Sequence, residues 1–298
     1  AMKTEIKISR NQFLKIAAAG TAALALAACG GSSSSTASSA ASSTAASDSA
    51  AASAVQTNIR LGVVGENNEY WTPVINRLAD EGVTLELVKF SDYTQPNQAL
   101  ADGEIDLNAF QHYAYLNNEI ADKGLDLTVI GETIIAPLGV YSDKISSLDE
   151  LKDGDSIAIP SDATNGGRAL KLLEAGGVIT VDPAAGYTPE VGDITDNPKN
   201  INFIEVEAAG TAALLPDVAA AVINGGHAVD NGFNPTEDSI FLESVEEGSD
   251  NPYINIIVAR TEDKDNELYK KVVDYFHSDE VAQVIADVYK GAYIPAWQ

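Results

Sequence analysis

Arg168 is the residue whose type and surroundings most favour ligand chemistry. It follows the segment Thr164-Asn165 and two glycines. Glycines allow an anion to approach exposed backbone N–H groups, and Thr164 or Asn165 can cap a helix that starts here. The spacing predicts that Arg168 lies in the first turn of that helix, where the macrodipole disfavours a cation and a compensating anion is needed. That anion is either a surface carboxylate, in a salt bridge worth little, or the carboxylate of a ligand.

Two asparagines interrupt segments that are otherwise apolar. Asn224 follows the apolar run 219–223 and precedes two glycines, so on its own it is typical of a turn. Asn255 lies within the β-prone run 253–258, on the face that also carries Tyr253. A buried amide needs hydrogen-bond partners, so Asn255 is either tied to the backbone or reads the ammonium or carboxylate of a ligand.

Aromatic side chains concentrate around the predicted second and third strands. Phe90 and Tyr113 are interpreted as ordinary core residues. The others could wall a pocket for an apolar or thioether side chain, because sulfur makes favourable contacts with aromatic rings. These candidate wall residues are Tyr93, Phe110, His112 and Tyr115.

The sequence lacks the motifs of catalysis, metal binding and nucleic-acid binding. It contains no nucleophile elbow, zinc-protease helix or phosphate loop, and its three His residues are far apart. The single cysteine, Cys29, excludes a multi-cysteine metal site and an intramolecular disulfide. With 44 acidic and 18 basic residues and a net charge of −26, nucleic acid is not expected as a partner. We predict a protein that is not an enzyme and has no cofactor and no metal.

The N-terminal segment carries targeting information rather than a fold. Residues 2–15 are basic and residues 16–28 are apolar and small, which is typical of an export signal and too short for a membrane span. Cys29 follows Leu26-Ala-Ala and resembles the lipidated Cys of a bacterial lipobox. The Ser- and Ala-rich stretch that follows cannot bury enough apolar surface to fold. We expect a signal peptide over 1–28, and a lipidated Cys29 with a flexible linker over 29–57.

The rest of the chain alternates between strand and helix periodicity. Ser147 and Glu150 predict a capping box where the pattern restarts. Such alternation implies an α/β fold whose mostly parallel sheets bind ligands beyond the carboxyl ends of their strands. Strands are predicted over 59–64, 83–90, 105–109, 127–130, 156–159, 201–206, 219–223 and 253–258, and helices over 71–79, 96–102, 116–123, 168–175, 268–277 and 280–289.

Several motifs that contain these residues resemble those of the NlpA-type lipoproteins, the methionine-binding proteins of ABC importers. The resemblance covers nearly all of residues 59–298. In chain order, the motifs are FSDYTQPNQAL at 90–100, GEIDLNAFQH at 103–112, NGGRAL at 165–170, DNPKN at 196–200, AVING at 221–225, PYIN at 252–255, SDEV at 278–281 and IPAW at 294–297.

The resemblance implies a two-lobed α/β fold of the periplasmic-binding-protein type, with a ligand cleft between the lobes. Residues 58–138 together with 252–298 are expected to form lobe 1, and residues 139–251 to form lobe 2. The hinges are expected near 136–141 and 251–255.

The resemblance also implies a role for each candidate site residue. Arg168 corresponds to the Arg that clamps the ligand carboxylate, and Asn224 and Asn255 correspond to the amides that read the ligand. The wall residues named above correspond to the aromatic wall around the ligand side chain. The chain departs from the family pattern in its acidic segment 241–250 and at Gly226-His227. We expect neither departure to touch a matched contact.

The function implied is that of a lipid-anchored protein on the extracytoplasmic face of the cell membrane. It would capture free L-methionine and deliver it to an ABC permease and its ATPase, with membrane contact through the lipid anchor only. Two alternatives stay open. The same fold could bind another apolar amino acid or a methionyl dipeptide, or the protein could be a surface lipoprotein that acts in adhesion.

Overall fold

The computed structural model describes residues 57–245 and 251–297. The predicted signal peptide, Cys29 and linker residues 29–56 lie outside these ranges, as do residues 246–250 of the acidic segment. None of the described helices combines the length and the apolar character needed to span a bilayer.

The described chain alternates strands and helices, as the periodicity predicts. In chain order, strands β1 to β13 are Asn58–Val64, Thr84–Phe90, Leu107–Asn108, Leu127–Ile135, Gly139–Tyr141, Ser156–Pro160, Thr180–Val181, Ile194–Asp196, Asn202–Val206, Ala220–Ile223, Phe241–Leu242, Ile254–Arg260 and Ile294–Pro295. Helices α1 to α8 are Thr72–Asp80, Pro96–Ala101, Tyr113–Lys123, Ala163–Ala175, Gly225–Asp230, Pro235–Asp238, Glu267–Phe276 and Asp279–Val284. A π-helical turn, Ile285–Tyr289, continues α8.

The strands form two large sheets. Sheet 1 has the order β13-β4-β12-β3-β1-β2 and sheet 2 the order β11-β5-β10-β6-β9, while β7 and β8 form a separate pair. The chain passes from sheet 1 to sheet 2 between β4 and β5, and it returns between β11 and β12. This arrangement confirms the two-lobed α/β fold class.

Both sheets are mixed rather than uniformly parallel. In sheet 1, β1 is parallel to β2 and β3, whereas β12 is antiparallel to β3 and β4. In sheet 2, β6 is parallel to β9 and β10, whereas β5 is antiparallel to β10. β5 and β12 are the strands that the chain enters on crossing between the sheets. Because no helical crossover within the same sheet precedes them, nothing requires them to be parallel to their neighbours.

Helices cover the faces of each sheet with apolar side chains. Trp71, beside α1, and Phe276 of α7 are fully buried on one side of sheet 1, while Leu100 and Leu116 of α2 and α3 pack in a second cluster of that sheet. In sheet 2, Leu173 of α4 belongs to the cluster that contains the strands β5, β6 and β10.

An aromatic cluster packs beside α1 and α7. Trp71 lies 4.6 Å from Phe276 and 6.1 Å from Tyr70, measured between ring centroids. Tyr289 stacks on Tyr293 at 4.4 Å, and Tyr293 meets Tyr70 edge to face at 6.0 Å. Tyr70 and Tyr293 therefore connect this cluster to the pocket described below, which both of them line.

The prediction of where α4 begins is wrong. The helix starts at Ala163, because Asp162 is its N-cap and accepts a hydrogen bond from the Asn165 backbone N–H at 2.9 Å. Arg168 consequently lies in the second turn, so the predicted conflict with the first-turn macrodipole does not arise.

One other local prediction near the start of sheet 2 also fails. The capping box does not form, because the 3-10 turn Leu148–Glu150 has no side-chain cap from Ser147. Residues 139–141, predicted as part of a hinge, form β5 between β10 and β11. Only residues 136–138 separate β4 from β5.

Candidate ligand-binding site

A pocket lies between residues of sheet 1 and residues of sheet 2. Sheet 1 contributes the segments that follow β1, β3 and β4, and sheet 2 contributes α4 and the segment after β10. Its empty volume, with the open mouth included, is about 780 Å³, in the range of sites that take small organic ligands. The structure brings all the predicted ligand-binding residues to this pocket: Tyr93, Phe110, His112, Tyr115, Arg168, Asn224 and Asn255.

Three rings form the aromatic wall. The centroids of Tyr93, Phe110 and Tyr115 lie 5.9 to 6.0 Å from one another. The Tyr115 hydroxyl donates to the Tyr93 carbonyl at 3.0 Å, which fixes the ring. Burial raises the pKa of both the Tyr93 and the Tyr115 hydroxyls. Both rings therefore stay neutral and present an apolar surface.

His112 connects the segment after β3 to helix α4. Its Nδ1 accepts a hydrogen bond from the Tyr115 N–H at 3.1 Å, and its Nε2 lies 3.1 Å from Asn165 Oδ1. One neutral tautomer, with the proton on Nε2, satisfies both contacts. Burial, followed by the nearby charge of Arg168, lowers the pKa of His112 to about 3. His112 is therefore neutral in the folded protein.

The orientation of Asn224 is set by Asn165. Asn224 Nδ2 donates to Asn165 Oδ1 at 2.8 Å, and Asn165 Nδ2 donates to both carboxylate oxygens of Asp162 at 3.0 Å. Asn224 Oδ1 is buried and accepts no hydrogen bond within the described part of the chain. Because an ammonium carries only donors, this oxygen is suited to bind one.

Arg168 is held by a carboxylate of its own chain. Its Nε donates to Glu243 Oε1 at 2.8 Å, and its Nη2 donates to Glu243 Oε2 and, at 3.2 Å, to the Ala136 carbonyl. The Tyr253 ring lies 4.2 Å from the guanidinium carbon. The Arg168 side chain is only 4% exposed and that of Glu243 18%, so this pair is not a surface salt bridge.

The expectation that segment 241–250 touches no matched contact is therefore wrong. Glu243 lies directly after β11, and the short strand carries its carboxylate to Arg168. The same expectation is wrong for Gly226-His227. The His227 ring packs against Tyr93 in a tilted arrangement, with 4.7 Å between the ring centroids, because α5 begins at Gly225 and returns the side chain towards the wall.

His227 adds a polar group to the aromatic wall. It is buried, and burial lowers its pKa. Its Nε2 has no hydrogen-bond partner among the residues that the structure describes. The sequence predicts no ligand contact at His227. The departure from the family pattern at Gly226-His227 is the one sequence feature that marks this position.

Asp230 connects the two sides of the pocket. Its Oδ1 accepts hydrogen bonds from the backbone N–H groups of Glu66 and Asn67 at 3.1 and 3.2 Å, and from Asn67 Nδ2 at 2.7 Å. Asp230 ends α5, whereas Glu66 and Asn67 follow β1. Gly65 has a φ of +82°, and a Cβ there would overlap the Asp230 carboxylate. The glycine thus permits the close approach.

Beneath the wall, three amides bond to one another. Asn97 Nδ2 donates to Gln111 Oε1 at 2.8 Å, and Gln111 Nε2 donates to Asn97 Oδ1 at 2.6 Å and to Asn108 Oδ1 at 3.0 Å. All three side chains are buried. They belong to the motifs that surround the wall residues, and they fix the end of β3 from which Phe110 and His112 project.

Taken together, these groups suit noncovalent binding of a small zwitterion with an apolar side chain. Arg168 offers N–H donors, Asn224 offers a buried acceptor, and three rings offer apolar surface. In residues 57–245 and 251–297, no group of three or more His, Cys, Asp or Glu is arranged to hold a metal ion.

Known proteins have sequences and folds similar to those of this chain. The NlpA lipoprotein family model matches residues 59–297. The D-methionine-binding lipoprotein MetQ of Salmonella typhimurium is 42% identical over 244 residues, which cover 80% of this chain and 89% of the relative. The probable D-methionine-binding lipoprotein MetQ of Vibrio cholerae is 38% identical over 295 residues, which cover 98% of this chain and 100% of the relative.

A solved structure agrees with the sequence comparison. The structure of a nutrient binding protein from Burkholderia cenocepacia, bound to methionine, matches with a TM-score of 0.76 and 39% identity, and the match covers 80% of this chain and 99% of that one. The family match spans both sheets and every residue of the pocket. The chain belongs to the NlpA lipoprotein family.

Proposed function

We propose that this protein is an extracytoplasmic, lipid-anchored substrate-binding protein that captures free methionine for an ABC importer. The observation that carries the proposal is the placement, in one pocket, of the Arg168 guanidinium, the unpartnered Asn224 carbonyl and the aromatic wall. These groups complement the carboxylate, the ammonium and the thioether side chain of methionine. The methionine-binding names of its relatives support the same ligand.

Each site residue then has a role. Arg168 binds the carboxylate, Asn224 and Asn255 read the ammonium, and the wall residues enclose the side chain. Hydrogen bonds to charged groups contribute about 1.5–3 kcal/mol each, and a buried apolar side chain contributes ~2 kcal/mol. After the free energy lost on association, these contributions support micromolar or tighter binding.

We propose that residues 58–138 with 252–298 form lobe 1 and residues 139–251 form lobe 2, and that the lobes close on the ligand. In support, all strands of sheet 1 come from the first set of residues and all strands of sheet 2 from the second. The connections at 136–138 and between β11 and β12 are the places where the chain can bend.

Delivery requires an anchor and an importer. We propose that residues 1–28 are a signal peptide, that Cys29 is lipidated and that residues 29–57 tether the protein to the membrane, its only membrane contact. The partners are an ABC permease and its ATPase. The protein is not an enzyme. Membership of a lipoprotein family supports these assignments.

The test is calorimetric titration of the purified protein with L-methionine and D-methionine. Arg168→Ala should weaken binding by about 100-fold, because it removes a charge-assisted hydrogen bond and leaves Glu243 unpaired. Arg77→Ala, which removes an exposed cation from α1, is the control and should bind normally. Unchanged affinity in Arg168→Ala would reject the carboxylate clamp.

A thermal-shift screen with the twenty amino acids and methionyl dipeptides separates the alternatives. A ligand at 100 times its dissociation constant stabilises the folded state by about 2.7 kcal/mol. Stabilisation by methionine supports the proposal. Stabilisation by a different compound, and not by methionine, would identify that compound as the ligand instead. No stabilisation by any compound favours a surface protein that acts in adhesion.

A further inference from the structure

We propose that Glu243 is a positioning residue of the binding site, which holds Arg168 so that only its Nη1 amino group is presented to the ligand carboxylate. The inference rests on the proposed function for the identity of the ligand. It adds how the carboxylate is held and which further residue determines that geometry.

The N–H groups of Arg168 define what remains for a ligand. A guanidinium has five N–H donors, one on Nε and two on each terminal nitrogen. Nε and one donor of Nη2 bind the Glu243 carboxylate side-on, and the second donor of Nη2 binds the Ala136 carbonyl. Nη1 has no hydrogen-bond partner within residues 57–245 and 251–297. Since Arg168 lines the pocket, Nη1 is the group left for a ligand.

Glu243 is itself fixed before any ligand arrives. Its backbone N–H donates to the Leu138 carbonyl at 2.9 Å, and its Oε2 accepts from the Leu138 N–H at 3.0 Å. The Tyr253 ring packs against the Arg168 guanidinium, which Glu243 holds. The carboxylate therefore belongs to the framework of the pocket, and it is tied to the segment that connects the two sheets.

Two consequences follow for the ligand. A bidentate clamp on its carboxylate needs one donor from each of two nitrogens, and Nη2 has none left. The carboxylate is thus held by Nη1 alone, which leaves its second oxygen to other donors. In addition, the largely buried pair of Arg168 and Glu243 has no net charge, so alignment rather than an excess of positive charge determines the affinity.

The experiment is a double-mutant cycle with Glu243→Gln, Arg168→Gln and the double variant, measured by methionine titration. Glutamine preserves the shape of Glu243, but its amide NH2 opposes the donors of Arg168 and Leu138, so Nη1 loses its alignment. We expect about 10- to 100-fold weaker binding for Glu243→Gln. In the Arg168→Gln background, the same change should alter the affinity by less than about twofold, because Glu243 acts through Arg168.

Controls separate this role from general damage to the fold. Glu237→Gln removes an equal charge from an exposed position on α6 and should bind as the wild type does. If Glu243→Gln does not fold, Glu243→Asp keeps the charge but cannot reach both nitrogens, and it should also bind more weakly. Equal or tighter binding by the Glu243 variants, or an equal loss in the Arg168→Gln background, overturns the proposal.

A second readout needs no ligand. In NMR spectra of the ¹⁵N-labelled protein, the Arg168 Nε–H signal is assigned by its absence from the Arg168→Gln spectrum. Its proton should exchange slowly with water, because it is bonded to Glu243. It should become fast-exchanging in Glu243→Gln and stay unchanged in Glu237→Gln. Failure of the wild type to bind methionine would contradict the proposed function. The positioning role is tested separately, by the exchange rate of this Nε–H proton. A slow-exchanging signal that survives in Glu243→Gln overturns that role.

Discussion

Arg168 has the anion beside it that its sequence predicts, but the predicted reason for that anion is wrong. Its sequence position predicted a compensating anion, and the structure supplies one in Glu243, 75 residues away along the chain. The predicted cause, a cation in the first helical turn, does not exist because α4 starts at Ala163. The spacing of residues in a motif predicts contacts within that motif only. It cannot predict a partner such as Glu243, which comes from a distant part of the chain.

His112 makes stability depend on pH in a defined direction. Its pKa in the folded protein is about 3, below its ordinary value of 6.5, so the unfolded chain binds more protons between these values. The contribution of His112 to stability is complete above pH 6.5 and is lost as the pH falls towards 3, with a slope of at most about 1.4 kcal/mol per pH unit.

The measurement compares urea unfolding of the wild type and His112→Asn at pH 7 and pH 4.5. Asparagine can still cap α3 but does not titrate. The free energy of unfolding should fall more in the wild type than in the variant between the two pH values. An equal fall in both proteins would mean that His112 is not buried as a neutral ring.

At the level of elements, periodicity predicted most long strands and helices and missed short ones. β5, β11 and β13 have two or three residues, too few to show an alternating pattern. β5 follows the first crossing and β11 precedes the return, and Glu243 lies directly after β11. The sequence therefore predicted the framework that carries Arg168 but not the element that carries its partner.

The buried amides support the end of β3. Asn97→Ala should lower the free energy of unfolding by about 2–3 kcal/mol, because it removes the donor to the buried Gln111 Oε1 and an acceptor that the Gln111 and Asn108 amide groups share. Gln98→Ala is the control, because that side chain is exposed and, among the residues that the structure describes, bonds only to Asp102. Urea unfolding measures both variants. A similar small loss in each would show that the network contributes little.

The loop after β1 depends on a glycine. Gly65→Ala should destabilise the protein by roughly 1–3 kcal/mol, because φ is +82° and the new Cβ meets the Asp230 carboxylate. Part of this loss should disappear in an Asp230→Ala background, where only the backbone strain remains. Identical losses in both backgrounds would exclude the proposed clash.

For the whole molecule, the site is assembled from segments that no local pattern connects. The wall follows strands of sheet 1, while Arg168 and Asn224 follow strands of sheet 2. Family motifs identified those residues because the motifs extend along the chain. Asp230 and His227 were missed, since their partners lie across the pocket and their identities are not part of a motif.

The overall charge of −26 should matter little for binding. A zwitterion has no net charge, and the Arg168–Glu243 pair is largely buried, so salt screens the interaction weakly. The affinity for methionine should change by less than about threefold between 50 and 500 mM salt. Over this range the Debye length falls from about 14 Å to about 4 Å, so any long-range attraction would be lost. Calorimetry at both concentrations measures this, and a loss of tenfold or more would indicate long-range steering.

The placement of Trp71 has a practical consequence. Its indole touches Tyr70, which lines the pocket, whereas the other tryptophan, Trp297, stacks on His277. Movement of the pocket wall is therefore transmitted to one indole through a single intervening ring. Intrinsic fluorescence of the unlabelled protein, with Trp297→Phe to silence the second emitter, can follow ligand capture in real time.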